Sequence, residues 1–154
     1  MSATKYLVYL TGLSTYVLIA WGGYVTLGGY GLGCGTYWPT CNGAIFPPLD
    51  WPTLVEYVHR LLTLVTGILL LISIVAVWTR KPRPVGPARA LVLAVVLLII
   101  QSLLGGDVVM TELEPVITTV HLTLATAVFA SIVLACALMY TLEKQTALEH
   151  AAKK

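Results

Sequence analysis

Charge is scarce in this sequence. Asp, Glu, Lys and Arg make up 10% of its 154 residues, where a soluble domain carries about 25%. Two prospective loops, 28–52 and 111–115, contain no Lys or Arg, only Asp50, Glu112 and Glu114. No Gly-Lys-Ser/Thr follows Gly28, Gly29, Gly31 and Gly33, which excludes a phosphate loop and leaves turns and close backbone approach as the use of these glycines. The shortage of charge excludes an ordinary soluble domain. A net charge of +2 carries no nucleic-acid footprint, so no nucleic-acid partner is expected.

What is present instead is apolar, 58% of the chain. Four runs stand out, at about 6–27, 53–78, 90–110 and 116–140. Each is about 20 residues or longer, enough to cross a hydrocarbon core about 30 Å thick at about 1.5 Å per residue. Backbone in lipid must satisfy its own hydrogen bonds, so the runs are expected to be helices. The first run exceeds a signal-peptide core and no small-x-small cleavage pattern follows it, so it reads as a retained helix. The expected fold is an all-α membrane protein, a single domain over residues 1–154. It is a bundle of four transmembrane helices with a long loop over 28–52. The C-terminal "LEHAAKK" reads as a solvated tail.

The few cations are unevenly placed. Lys5 precedes the first run, Arg80, Lys81, Arg83 and Arg89 lie between the second and third, and Lys144, Lys153 and Lys154 follow the fourth. The positive-inside rule puts both termini in the cytoplasm and the 28–52 loop on the outer face. Arg60 is the one cation within a run. Cys34 and Cys41 fall in the outer loop, where a disulfide can persist, either as a staple or as a redox-active pair. Cys136 lies among Ala and Leu of the fourth run and reads as a core thiol.

The chain reads as one helix hairpin used twice. "WGGYVTL" at 21–27 ends the first run and "LGGDVVM" at 104–110 ends the third. "VHRLLTLVT" at 58–66 sits in the second and "VHLTLATAV" at 120–128 in the fourth. The Gly-Gly pairs read as close helix packing, and Trp38 and Trp51 as an interfacial belt.

His59 and His121 fall at matching points of the two units, each roughly 9 Å below the outer boundary. Ionisable groups in a membrane are costly and usually line a functional interior. Two imidazoles at one depth are suited to gripping a cofactor, and a haem, large, flat and mostly apolar, fits a helix bundle. Thr63, Gly67, Thr118 and Ala125 share helical faces with the histidines and leave room. A rival is a non-haem iron triad of Glu56, His59 and His121. A single zinc or copper site lacks a clear fourth ligand. Glu56 lies one turn outward of His59 on the same face, and Arg60 lies four residues from Glu56. Glu56 is therefore either a structural ion-pair partner of Arg60 or a proton acceptor beside the ligand, and Arg60 can alternatively meet a propionate.

Taken together, "WPTCNG" at 38–43, "EYVHR" at 56–60, "LGGDVVMTELEPVITTVHL" at 104–122 and the glycine-rich loop with its cysteines resemble heme A synthase. The resemblance implies an oxidoreductase of a prokaryotic plasma membrane serving cytochrome oxidase assembly. It would oxidise the C8 methyl of heme O to a formyl group, through two hydroxylations and loss of water. It implies that His59 and His121 are haem-iron axial ligands and that Glu56 is the catalytic carboxylate; Arg60 stays the residue-level candidate for contact with a haem propionate. It also implies that Cys34 and Cys41 act in redox or haem handling. Heme O synthase and an electron acceptor would be partners. Family members commonly have eight spans in two four-helix halves, one for substrate and one for haem b. The four spans here match the substrate-side half, so either a homo-oligomer supplies the second site, which is the expectation, or one site serves alone. The alternative function is a bis-His membrane cytochrome b or haem carrier without catalysis.

Overall fold

A computed structural model describes residues 3–48 and 50–152. Lys153 and Lys154, which enter the orientation argument, lie outside the described residues, as do Met1 and Ser2 of the single-domain reading and Leu49 of the 28–52 loop. Four helices account for most of the chain: α1 Ala3–Leu27, α2 Trp51–Trp78, α3 Val85–Met110 and α4 Pro115–Ala152. All four are long and apolar enough to cross a membrane. The expected all-α four-helix bundle is the architecture observed.

Helix ends follow the local chemistry. Asp50 caps α2, its Oδ2 accepting from Thr53 N at 3.4 Å, and Pro52 sits in the first turn. Hydrogen bonding from Thr53 holds the Asp50 carboxyl below the usual carboxylate range. Glu114 serves α4 in the same way: its Oε2 accepts from Ile117 N at 2.8 Å, and Pro115 opens the helix. Two boundaries differ from the sequence reading. α3 begins at Val85 instead of about 90, and α4 runs on to Ala152 instead of ending near 140. "TLEKQTALEHAA" is rich in strong helix formers, so the helix continues where hydrophobicity stops. The "LEHAAKK" stretch is thus helical and exposed as far as Ala152.

The helices form a ring in chain order. Neighbours α1·α2, α2·α3, α3·α4 and α4·α1 pack together, which leaves α2 and α4 on one diagonal. The apolar core gathers in the half of the bundle that holds the start of α1 and the 79–84 connection. Val8, Leu70, Val77, Leu91, Ile132 and Met139 meet there with almost no exposure. Ala88, Ala90, Ala94 and Ala135 let the helices approach closely in the same half. Cys136 is a free thiol against this core, its Sγ 3.6 Å from the Val8 carbonyl oxygen. Lys5 Nζ pairs with Glu143 Oε2 at 2.9 Å, and Arg80 approaches the same carboxylate at 3.7 Å, closing that end. Outward faces stay apolar: Val75 is 61% and Leu13 60% exposed. Such a surface is suited to lipid and unsuited to water.

Candidate functional site

The other half of the bundle is not filled. A cavity of about 1010 Å³ opens there between all four helices and the 28–50 loop. Small-molecule sites run roughly 300–1,000 Å³, so this one is large enough for a macrocycle. Its walls are chiefly apolar, with Leu18, Ile19, Leu64, Leu98 and Val108 among them. The Thr63, Gly67, Thr118 and Ala125 positions singled out beside the histidines all line it.

His59 and His121 both face this cavity. They lie eight and six residues into α2 and α4, roughly 12 and 9 Å along their helices. Each ring is seated against a glycine of the preceding helix. A Cβ on Gly22 would stand 2.9 Å from His59 Cε1, and a Cβ on Gly105 would stand 3.1 Å from His121 Cε1. Each is the first glycine of its Gly-Gly pair. The sequence motif read as helix packing thus makes room for the imidazole, once in each hairpin. In both rings Nδ1 is buried and unpartnered among the described residues. For His59 that leaves Nε2 to meet the cavity, while His121 Nε2 lies 3.2 Å from the Gln101 amide nitrogen, itself a cavity residue.

Glu56 and Arg60 lie between the cavity and the loop. Glu56 is 3% exposed. Its Oε1 accepts from Arg60 Nη2, and its Oε2 accepts from Cys34 N at 2.7 Å. Arg60 Nη1 also donates to the carbonyls of Tyr37, Pro39 and Thr40. The ion pair is therefore formed, and it grips the disulfide-closed loop at Cys34 and again along residues 37–40. Cys34 and Cys41 are joined, with Cα atoms 4.5 Å apart and both residues buried. Thr53 Oγ1 adds a hydrogen bond to the Gly33 carbonyl at 2.8 Å. Gly33 has to be glycine, because a Cβ there would overlap the Pro52 carbonyl. Among the described residues, no three His, Cys, Asp or Glu side chains gather into a metal site, so the Glu56–His59–His121 triad is not assembled.

Two residues of the site were not singled out from the sequence as cavity residues. Trp38, read as part of an interfacial belt, lies with its indole against Gly106, whose Cβ would come within 2.9 Å of Trp38 Cδ2. It roofs the cavity beside Pro39 and Thr40. Gln101, an amide inside an apolar span, lies beside His121. A polar residue in such a run is itself a signal of a functional interior.

Fold and site define a class: a four-helix integral membrane protein whose paired histidines face one apolar cavity. The donor set fits a haem, since two imidazoles line one cavity from diagonal helices and their ring positions are cleared by glycines. The cytochrome oxidase assembly protein family, COX15-CtaA, matches residues 50–154. The chain belongs to that family, in keeping with its resemblance to heme A synthase. The heme A synthase of Bacillus licheniformis is 35% identical over 142 residues, spanning 90% of this chain and 46% of that protein. Those of Bacillus mycoides and Bacillus cereus (strain AH187) are 30% identical, each over 92% of this chain and 46% of the relative. The chain therefore spans about half the length of the curated relatives it matches. No solved structure matches it.

Proposed function

We propose that the protein acts in heme A biosynthesis and cytochrome oxidase assembly as an oxidoreductase converting the C8 methyl of heme O to a formyl group. The observation that carries this reading is the pair of glycine-seated imidazoles facing one apolar cavity. The similarity to heme A synthases supports it. His59 and His121 would hold the haem iron through Nε2, and the apolar walls would exclude water from the macrocycle. The bound porphyrin iron supplies the redox chemistry. Glu56 lines the same cavity and is the carboxylate placed to take a proton near the substrate edge, with Arg60 keeping it oriented. The Cys34–Cys41 loop roofs the cavity and governs entry or electron exchange on the outer face. Heme O synthase, an electron acceptor and a second copy of the chain are the partners of this reading. It places the protein in a prokaryotic plasma membrane.

A second reading has an observation of its own. Both Glu56 oxygens are already engaged, by Arg60 and by Cys34 N, as a structural residue's would be. That favours a bis-His cytochrome b or haem carrier. Expression in cells that make heme O, followed by pigment extraction, separates the two. Heme A in the extract, lost in Glu56→Gln, supports the enzyme. Only heme O or haem b, unchanged by Glu56→Gln, supports the carrier. A missing Soret band, or one that His121→Ala leaves unaltered, overturns both.

A further inference from the structure

The two histidines are not held alike. Gln101 on α3 is 8% exposed in an apolar span, and its amide oxygen is buried without a partner among the described residues, so its bonds are made by the nitrogen. Its Nε2 donates to the His121 carbonyl oxygen at 2.9 Å and lies 3.2 Å from His121 Nε2. A carbonyl oxygen only accepts, so the amide group beside it has to be the NH2; exchanging the amide's O and N would bring two acceptors together. That same NH2 faces the ring nitrogen and has no lone pair to offer. His121 Nε2 must then be the acceptor, and the ring proton sits on Nδ1. Counting from the seating glycines, the α1 residue matching Gln101 is Leu18, four before Gly22. His59 receives no such bond, and its Nδ1 and that of His121 are both unpartnered among the described residues.

We infer that Gln101 is a positioning residue for His121: it fixes the ring's orientation and keeps Nε2 unprotonated, with its lone pair available to a ligand that displaces the amide. Of its two contacts, the 3.2 Å one is what a metal at Nε2 would replace. The 2.9 Å bond to the backbone does not depend on it and ties α3 to α4 throughout. His121 is thus the ligand tied by a neighbouring side chain, while His59 is held by its seat on Gly22. The inference rests on the haem-site reading only for its consequence; the tautomer itself is a property of the ligand-free protein.

The test has two arms. Nitrogen NMR of histidine-labelled, ligand-free protein at alkaline pH, assigned with His59→Ala and His121→Ala, reports each ring's tautomer. His121 is expected with its proton on Nδ1, and as a mixture of tautomers in Gln101→Leu. His121 protonated on Nε2 in the unaltered chain overturns the inference without any variant having to fold. In the second arm, ferric protoporphyrin IX is titrated into detergent-solubilised protein. Gln101→Leu is expected to weaken binding about tenfold, as loss of a residue orienting a metal ligand does. Its spectrum should shift from six-coordinate low-spin toward the high-spin form of His121→Ala. Wild-type affinity and spin state in Gln101→Leu also overturn it. Failure of the unaltered protein to bind the porphyrin sinks the haem site instead, whatever the tautomer.

Discussion

The two helix hairpins solve one problem with different surroundings. Both seat an imidazole against the first glycine of a Gly-Gly pair, Gly22 for His59 and Gly105 for His121. Both start the histidine helix with an acidic cap followed by proline, Asp50 with Pro52 and Glu114 with Pro115. Around that common frame they diverge. The first hairpin carries charge beside its histidine, Glu56 and Arg60, and spends it on holding a disulfide loop. The second has Thr118 and Leu122 at the matching positions and a short 111–114 turn, and it supplies the neutral amide of Gln101. Charge in the first hairpin organises the roof, while the neutral contact in the second organises a ligand.

That contrast can be broken at its strongest point first. Removing one partner of a buried ion pair leaves an uncompensated charge. Arg60→Ala should therefore lower stability by about 3–5 kcal/mol, whereas Leu122→Ala should cost less than about 1 kcal/mol. Thermal unfolding in detergent compares them, and equal losses would mean the charged hairpin holds nothing the apolar one lacks. Next comes the staple. Cys34→Ser opens a loop of sequence separation 7, for an expected loss of about 2–3 kcal/mol. The porphyrin spectrum should survive, because neither cysteine supports a histidine; its disappearance would make the roof part of the ligand set.

Smaller effects test what the hairpins share. A methyl at Gly22 or Gly105 pushes the imidazole from its seat, and porphyrin affinity should fall by about tenfold, roughly 1.4 kcal/mol. The loss should be larger for Gly22→Ala, where the contact is 2.9 Å against 3.1 Å. Gly23→Ala meets nothing within 4 Å and serves as the control. An unaltered titration in Gly22→Ala would remove the seat from the site. The smallest effect is the Asp50 cap. Its folded pKa lies below the ordinary 3.8, so its contribution is full above that value and is lost as pH falls through the folded pKa. Asp50→Asn should therefore flatten the acid limb of the melting curve slightly and leave neutral pH nearly unchanged.

Much of this was readable along the chain. The four helices and the glycine-rich loop with its disulfide follow from local patterns, and the repeated hairpin from comparing short segments of the two halves. The histidines were visible because an ionisable group stands out in an apolar run. Gln101 offered the same signal, but an amide carries no charge and its partner lies on another helix. The Gly-Gly pairs were seen and assigned to helix packing, because nothing local tells a glycine that admits a neighbouring backbone from one that admits a ring. Trp38 looked like a belt residue until Gly106 gave it a seat.

The sequence by itself determined that four helices cross a membrane and that two histidines enter it at similar depth, because a lipid solvent forces backbone and polar groups into few arrangements. Only the tertiary structure decided that α2 and α4 stand diagonally, that one half of the bundle packs solid while the other stays open, and that the histidines differ in their support. Those outcomes depend on which faces of four separate helices meet, and a hydrophobic run with no polar stripe does not record that choice.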